Sequence, residues 1–319
     1  MRNEPFATQI ERSGNTLTGP WRAPRQMLAA QHYDADGSIH DDATAQKLGF
    51  RGGTIEGPTH FSQFAPLAFA LWGERWFSEG CISAHYRNAV YEGERVRATI
   101  TQQSADHAAI TMEKEDGTEV LRGSASVGRA APPSALDERI KTLPPPGTLV
   151  ILRDVRVGLK TAPRWVEMGA EQNMGALYPF SLQQKLTKIT EPSLWYEERG
   201  ANNSPFGRAI IPLEMISVLL NYTSKLDAVP VRGRAIGLFA DQEIRLIKGP
   251  LFVGEAYEIE REVVALSGSK RTESMWIKTS VYAPGSTDLM ATMLLNIASL
   301  KDSYANYAAE LAEIEAAAA

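Results

Sequence analysis

The chain of 319 residues has little of the chemistry that builds metal centres or disulfide frameworks. It contains one cysteine, Cys81, and five histidines. A single cysteine excludes an internal disulfide framework and a zinc site built from several cysteines, and it fits a reducing compartment. No group of histidines and acids has a recognised ligand spacing, so the sequence predicts no metal. The glycine-rich residues 49–57 are not a dinucleotide fingerprint, because the Gly-x-Gly-x-x-Gly spacing fails.

Basic clusters and long apolar runs are also missing. The net charge is -5 and the pI is near 5.7. A duplex-binding protein usually has a basic face, so we expect no nucleic-acid partner. No run approaches the roughly 18 apolar residues of a membrane span, and the polar N-terminus has no apolar core of signal-peptide type. We therefore expect no membrane association and a cytoplasmic location.

Length and composition predict two domains. The chain is 44% hydrophobic and 22% charged, which is ordinary for a globular protein. Its length suits two domains of roughly 150 residues. Prolines are concentrated in residues 130–147 and mark the best boundary. We predict an N-terminal domain over 1–130, a proline-rich linker over 131–148, a C-terminal domain over 149–300 and a helical tail over 301–319.

The two predicted domains repeat one plan. Pro58 and Pro212 each open an apolar helix, and about four consecutive strands with short turns follow each helix. Residues 90–97 resemble residues 251–258, and both segments are predicted turns. The number of residues between these turns is nearly the same as the number between the two prolines, which argues for an internal duplication. Strands in succession, without intervening helices, predict an α+β fold with antiparallel sheets, each covered by a helix.

The stretch 37–60 carries the densest chemistry. It combines a polar loop, a short helix capped by Asp41 or Asp42, a glycine-rich turn and the start of the first apolar helix. Two of the five histidines, His40 and His60, lie in it. Backbone N–H groups at the start of a buried helix can stabilise a developing negative charge. This stretch is therefore the predicted floor of an active site.

Residues 39–57 and 86–94 resemble motifs of the MaoC-like, (R)-specific enoyl-CoA hydratase family. The matching residues of the first motif are Ile39, His40, Asp41, Asp42, Gly49, Phe50, Gly52, Gly53, Ile55 and Gly57. The resemblance implies a double hotdog, in which two antiparallel sheets are each wrapped around a long central helix. It also implies a hydro-lyase that acts on an acyl thioester, with coenzyme A as the expected thiol, without a cofactor. We expect a homodimer.

The resemblance implies site residues, with one departure. His40 would be the base or acid, and the Gly57 N–H would donate to the thioester oxygen. The family's catalytic aspartate lies five residues before the histidine, where this chain has Ala35. Asp34 and Asp36 flank that position, so either is a candidate partner of His40 in an altered dyad.

A second candidate pair joins the two repeats. His60 lies in the first turn of the first central helix, and Glu214 holds the matching position after Pro212. Such a pair resembles the arrangement of hydroxyacyl-thioester dehydratases, which share this fold; the alternative is a salt bridge at the helix interface. Arg87 lies on a predicted strand and is a candidate contact for coenzyme A phosphates, although a solvated sheet face also explains it.

Three other functions stay open. A hotdog thioesterase would use an acid such as Glu214 to activate water against the carbonyl carbon. The altered motif also allows a lyase or isomerase that acts on a substrate other than a thioester. A non-catalytic acyl-binding protein would keep the groove without the dyad. The sequence does not identify the acyl group or the repeat that contains the active site.

Overall fold

The described part of the chain forms one continuous antiparallel sheet of eleven strands. The computed structural model describes residues 4–31 and 37–318. The strands of the first half are β1 (Glu11–Ser13), β2 (Thr16–Thr18), β3 (Gly80–Tyr86), β4 (Val96–Gln102), β5 (His107–Lys114) and β6 (Glu119–Val127). Those of the second half are β7 (Arg164–Val166), β8 (Gly237–Leu246), β9 (Tyr257–Gly268), β10 (Thr272–Tyr282) and β11 (Leu289–Leu300). The strand order is β1-β2-β4-β5-β6-β3-β8-β11-β10-β9-β7.

This strand order confirms the internal duplication. From the centre outward, the first half runs β3-β6-β5-β4 and the second half runs β8-β11-β10-β9. The turns that precede β4 and β9 match as well, because Gly93 and Gly254 both have positive φ angles, of 88° and 70°. One expectation needs correction, since the halves do not form two separate sheets. Strands β3 and β8 pair, with Ser83 opposite Glu243, so each half covers the other's open edge.

The central helix of the first half spans 57–72. It begins as a 3-10 helix over Gly57–Phe64 and continues as α2 over Ala65–Trp72. Pro66 lies at this change because a proline has no N–H to donate to the carbonyl of Ser62, four residues earlier. The helix ends at Gly73, as predicted, where φ is 61°. Its fully buried apolar residues are Phe61, Phe64, Leu67 and Ala68.

The central helix of the second half, α6, spans only Leu213–Asn221, which is nine residues. It starts after Pro212, as predicted, but it is not the long helix that we expected. Arg261 of β9 donates from Nη2 to the Leu220 carbonyl at 2.6 Å. A cation that binds the last carbonyls stabilises a helix end, so this contact favours termination at Asn221.

The other helices surround this frame. They are α1 (Asp42–Lys47), α3 (Arg75–Glu79), α4 (Ala135–Lys141), α5 (Leu182–Leu186), α7 (Tyr307–Ala318) and short 3-10 turns at Leu194–Tyr196, Glu198–Asn203, Ser224–Leu226 and Lys301–Ser303. Asp41 caps α1 by accepting from the Thr44 N–H at 2.8 Å. The proline-rich linker thus contains a helix, α4, and the domain boundaries remain a prediction. Within the described ranges, no helix combines the length and apolar character that crossing a membrane requires.

Candidate active site

Two adjoining cavities lie where the halves meet. The first, here called the motif cavity, has a volume of about 260 Å³ and is lined by His40, Glu56, Gly57, His60 and Tyr86, among others. The second, the apolar cavity, has a volume of about 280 Å³ and lies beyond the end of α6. The two cavities share the lining residues Gln31, Ile39, His40, Gly237 and Phe239. A ligand in one cavity would therefore reach the wall of the other.

His40 lies on this shared wall and has one ring nitrogen committed. Its Nδ1 is 2.7 Å from the Thr54 carbonyl oxygen. Because a carbonyl can only accept, Nδ1 carries the proton and Nε2 keeps a lone pair. Burial lowers the pKa of His40 to about 4, although the bond to Thr54 opposes this shift. The imidazole is therefore neutral at pH 7 and can accept a proton at Nε2.

Glu56 is a buried acid that sequence reasoning missed. It is the N-cap residue of the first central helix, yet its side chain makes no capping hydrogen bond. The residue is 7% exposed, lines the motif cavity, and its Oε1 has no hydrogen-bond partner among the described residues. Tyr178 hydrogen-bonds to the carboxylate and itself accepts from the Asn221 amide at 3.0 Å. The available signal was an acid directly before the glycine of the motif.

The surroundings of Glu56 make its carboxyl titrate near neutral pH. Burial raises its pKa to about 7, the Lys185 ammonium lowers it and the Glu214 carboxylate raises it further. An acid with such a pKa can both give and take a proton at physiological pH. Glu56 is therefore better suited to proton transfer than an exposed carboxylate.

His60 also reaches the motif cavity. It is 2% exposed, and its Nδ1 has no hydrogen-bond partner in the described part of the chain. Burial lowers its pKa to about 3, and the nearby Lys185 ammonium contributes to the same shift. His60 is thus a neutral group that can donate or accept a hydrogen bond.

Glu214 does not pair with His60 as expected. Its carboxylate is buried, lines neither cavity and lies 3.7 Å from the Lys185 Nζ, which donates to the Thr59 hydroxyl at 3.0 Å. Neither carboxylate oxygen has a hydrogen-bond partner among residues 4–31 and 37–318. Burial raises the pKa of Glu214, and Lys185 opposes the shift. The side chain therefore belongs to a buried charge cluster with Lys185, behind the residues that line the cavities.

The structure also corrects which residues of the two central helices correspond to each other. Ile55 donates to the Val90 carbonyl at 2.7 Å, and Ile211 donates to the Leu251 carbonyl at 2.9 Å in the corresponding place. The residues that follow, Glu56 and Pro212, are both N-cap residues. Counted from these caps, the partner of His60 in the second half is Ile216, and Glu214 corresponds to Pro58. The equal spacing from the two prolines was misleading by two residues.

Gly57 is the first residue of the central helix, as a donor to an oxyanion should be. N–H groups in the first turn have no intrahelical acceptor, and the helix dipole favours negative charge there. A Cβ at Gly57 would lie 2.7 Å from the Tyr86 Cζ atom, so only glycine allows this ring to pack on the helix start. The Tyr86 hydroxyl donates to the Gln242 Oε1 at 3.0 Å. The second half therefore helps to hold the wall of the motif cavity.

Arg87, Asp34 and Asp36 are the remaining candidate site residues. Arg87 lines the motif cavity, its side chain is about half exposed, and its Nε is 3.5 Å from a Glu119 carboxylate oxygen. It is therefore a charged group at the edge of the cavity. Asp34 and Asp36 lie outside the described residues. The structure thus brings His40, His60, Gly57 and Arg87 to one cavity, and Glu214 is not among the residues that line it.

Comparison with known proteins identifies the fold. No protein-family model and no curated protein matches the chain. A protein from Chloroflexus aurantiacus J-10-fl, described as a MaoC domain dehydratase, is 15% identical with a TM-score of 0.53, over 92% of this chain and 94% of that one. A conserved Mycobacterium tuberculosis protein, described as having a double hotdog fold, is 10% identical with a TM-score of 0.52, over 92% and 96%. The dehydratase domain from the CurJ module of the Curacin polyketide synthase is 8% identical with a TM-score of 0.50, over 93% and 97%.

These similarities cover nearly the whole length of each chain. The protein therefore has a double hotdog fold, and the resemblance to MaoC-like double-hotdog proteins is confirmed at the level of the fold. The continuous eleven-stranded sheet is the form that this fold takes here.

Proposed function

We propose that the protein is a hydro-lyase that adds water to, or removes it from, the α,β-bond of an acyl thioester, with coenzyme A as the thiol. The observation that carries the proposal is the motif cavity. It places a neutral histidine, His40, and a protonatable acid, Glu56, beside Gly57 at the start of a buried helix. Hydration of a conjugated thioester requires a base, an acid and a donor to the thioester oxygen, and these residues supply all three.

The thioester carbonyl would lie at the helix start. The Gly57 N–H would donate to its oxygen, and the helix dipole would stabilise the negative charge that develops there as C3 is attacked. Arg87, at the edge of the cavity, would meet the phosphates of coenzyme A. His60 would add a neutral hydrogen-bonding group on the same wall.

Two proton transfers complete the reaction. In hydration, His40 Nε2 takes a proton from water while the water oxygen forms a bond to C3. The enolate then takes a proton at C2 from the Glu56 carboxylic acid, and the thioester carbonyl is restored. Dehydration runs through the same steps in reverse. In this mechanism Glu56 takes the role that the resemblance implied for Asp34 or Asp36.

The acyl group would extend into the apolar cavity. His40 and Ile39 belong to both cavities, so the cavities adjoin there and a chain that leaves the reacting carbons would pass these residues. Side chains of the second half, including Ile277, Met293 and Leu295, line the space beyond. The first half would then perform the chemistry, and the second half would bind much of the substrate.

A hydration assay tests the proposal. Enoyl-CoA thioesters of short, medium and branched chains are mixed with the wild type, and loss of the conjugated absorbance is followed. We expect His40→Asn to lower kcat by about 10²- to 10⁴-fold, the usual contribution of general base catalysis. His107→Asn is the matched control, because His107 lines neither cavity. Asp34→Asn and Asp36→Asn should retain activity if Glu56 is the acid.

Other outcomes would assign a different function. Folded wild-type protein without turnover on any thioester would overturn the proposal. Release of free coenzyme A thiol would indicate a thioesterase, and binding of acyl-CoA without turnover would indicate an acyl-binding protein. A thioester substrate would fit the cytoplasmic location predicted above. The expected homodimer is a separate proposal, which light scattering on the purified protein tests.

A further inference from the structure

The apolar cavity contains a small group of buried polar side chains, here called the polar floor: Asp227, Arg261 and Thr279. All three line the cavity. Arg261 Nη1 binds the Asp227 Oδ2 at 2.7 Å, and the two side chains are 4% and 3% exposed. Thr279 is 1% exposed and lies opposite Arg261 in the pairing of β9 with β10. Polar groups are thus placed together in a wall that is otherwise mostly apolar.

The polar floor has unused hydrogen-bonding capacity. Arg261 is committed to the fold, because it also donates to the Leu220 carbonyl and to the Thr223 hydroxyl at 2.9 Å. The Thr279 hydroxyl, in contrast, has no partner among the described residues. The Asp227 Oδ1 also has no hydrogen-bond partner among the described residues, and it lies 3.5 Å from the Arg164 Nη2. Buried polar atoms without partners are rare in folded proteins, so a polar atom of a ligand would fit here.

The two orphaned atoms define the chemistry of that ligand. The Asp227 oxygen can only accept, whereas the Thr279 hydroxyl can donate or accept. A hydroxyl group both donates and accepts, so its chemistry suits either atom. A carboxylate has no proton to donate to the Asp227 oxygen, and the Arg261 guanidinium beside it is already bound to Asp227. A plain hydrocarbon end would leave both atoms unpaired.

We infer that the preferred substrate carries a hydroxyl group at or near the far end of an otherwise apolar acyl chain. This inference rests on the proposed function, because it assumes that the acyl group extends from the motif cavity into the apolar cavity. Phe239, Met293 and Ile297 are among the apolar residues that line the rest of this cavity. The middle of the chain would therefore be hydrocarbon, and selectivity would lie at its end.

A matched substrate series tests the inference. For each chain length, the trans-2-enoyl-CoA is compared with its ω-hydroxy and ω-carboxy derivatives. We expect the wild type to prefer the ω-hydroxy thioester at one chain length by roughly tenfold in kcat/KM, the value of one good hydrogen bond. Thr279→Val should remove this preference. Thr279→Ser, which keeps the hydroxyl, and Thr292→Val, a buried threonine outside both cavities, should retain it.

Binding of unreactive ligands separates this inference from the proposed function. Saturated acyl-CoA and ω-hydroxyacyl-CoA are compared by calorimetry with the wild type and with Thr279→Val. A hydroxyl preference that depends on Thr279 supports the inference even if no enoyl thioester turns over. Turnover without any hydroxyl preference, at any chain length and in binding as well, would overturn the inference and leave the proposed function intact. A preference for the ω-carboxy ligand would also overturn it.

Discussion

The two halves of the protein share one topology but use their interiors differently. In the first half, a central helix over 57–72 fills the space inside the strands with buried side chains. In the second half, α6 stops at Asn221, and a cavity of about 280 Å³ occupies space beyond its end. The shorter central helix of the second half thus leaves space beyond its end that the longer helix fills in the first half.

The residue at one buried position accounts for much of the difference in length between the two central helices. Counted along β4 and β9, Ile100 and Arg261 are corresponding residues, each the third in an alternating series of buried side chains. Ile100 is apolar and fully buried beneath the longer helix. Arg261 is cationic and binds the Leu220 carbonyl at the end of α6. An apolar residue lets the helix continue above the strand, whereas a buried guanidinium favours its end.

The helix starts differ as well. The N-cap position holds Glu56 in the first half and Pro212 in the second. Proline has no ionisable group, so only the first half has an acid at this point. Under the proposed function, the first half would therefore carry out proton transfer, and the second half would recognise the acyl group. The predictions below test that division.

The largest expected effect is loss of catalysis when the first half loses its acid. Glu56→Gln keeps the shape of the side chain and the Tyr178 contact but has no proton of suitable pKa to give. We expect kcat for hydration to fall by about 10²- to 10⁴-fold, with a smaller change in KM. Glu113→Gln is the control, because this side chain on β5 is about half exposed and lines neither cavity. Retained activity in Glu56→Gln together with loss in Asp36→Asn would show that the catalytic acid is Asp36 and not Glu56.

A large effect on stability is expected when Arg261 becomes leucine. The change leaves the Asp227 carboxylate buried without its main cation and the Leu220 carbonyl without its donor. Removal of one partner of a buried ion pair usually costs about 3–5 kcal/mol. Urea denaturation of Arg261→Leu measures this loss. The double variant Arg261→Leu, Asp227→Leu should recover much of it, because no unpaired buried charge remains; no recovery would show that the helix-end contact dominates.

The pH dependence of hydration should show two limits. The Glu56 pKa is raised to about 7, so the acid form that donates to C2 is lost as the pH rises through about 7. The His40 pKa is lowered to about 4, so the base is lost as the pH falls through about 4. We expect kcat/KM to fall about tenfold per pH unit beyond each limit. A profile that stays flat from pH 6 to 9 would contradict the role of Glu56.

Local patterns in the sequence predicted much of this architecture. Alternating apolar residues marked β4 and β9, and Pro58, Pro212 and Gly73 marked helix ends, because these signals act on the backbone close to where they occur. The single sheet was not predictable in this way, since nothing local says that β3 pairs with β8. The early end of α6 depends on Arg261, which lies about forty residues further along the chain.

In the candidate site, too, the sequence predicted only what local patterns reveal. His40, His60 and Gly57 were predicted because they belong to a motif in one stretch. Glu56 lies in that stretch too, but burial in the folded protein raises its pKa, and Lys185 and Tyr178, which oppose the rise, come from residues 149–212. That segment has few strands or helices and no clear periodicity. The chemistry of an acid depends on its neighbours in space, and a single sequence does not supply them.

The smallest effect is expected from a substitution that narrows the apolar cavity of the second half and leaves the motif cavity unchanged. Ile277→Phe adds volume to the apolar cavity from a partly buried position on β10. We expect kcat/KM to fall about tenfold for long acyl chains and to stay nearly unchanged for a four-carbon chain, because only the long chain reaches β10. Leu266→Phe makes a similar change at a partly buried leucine on β9 that lines neither cavity, and it should leave both substrates unaffected. Equal losses for short and long chains in Ile277→Phe would show that the two halves do not divide chemistry from binding.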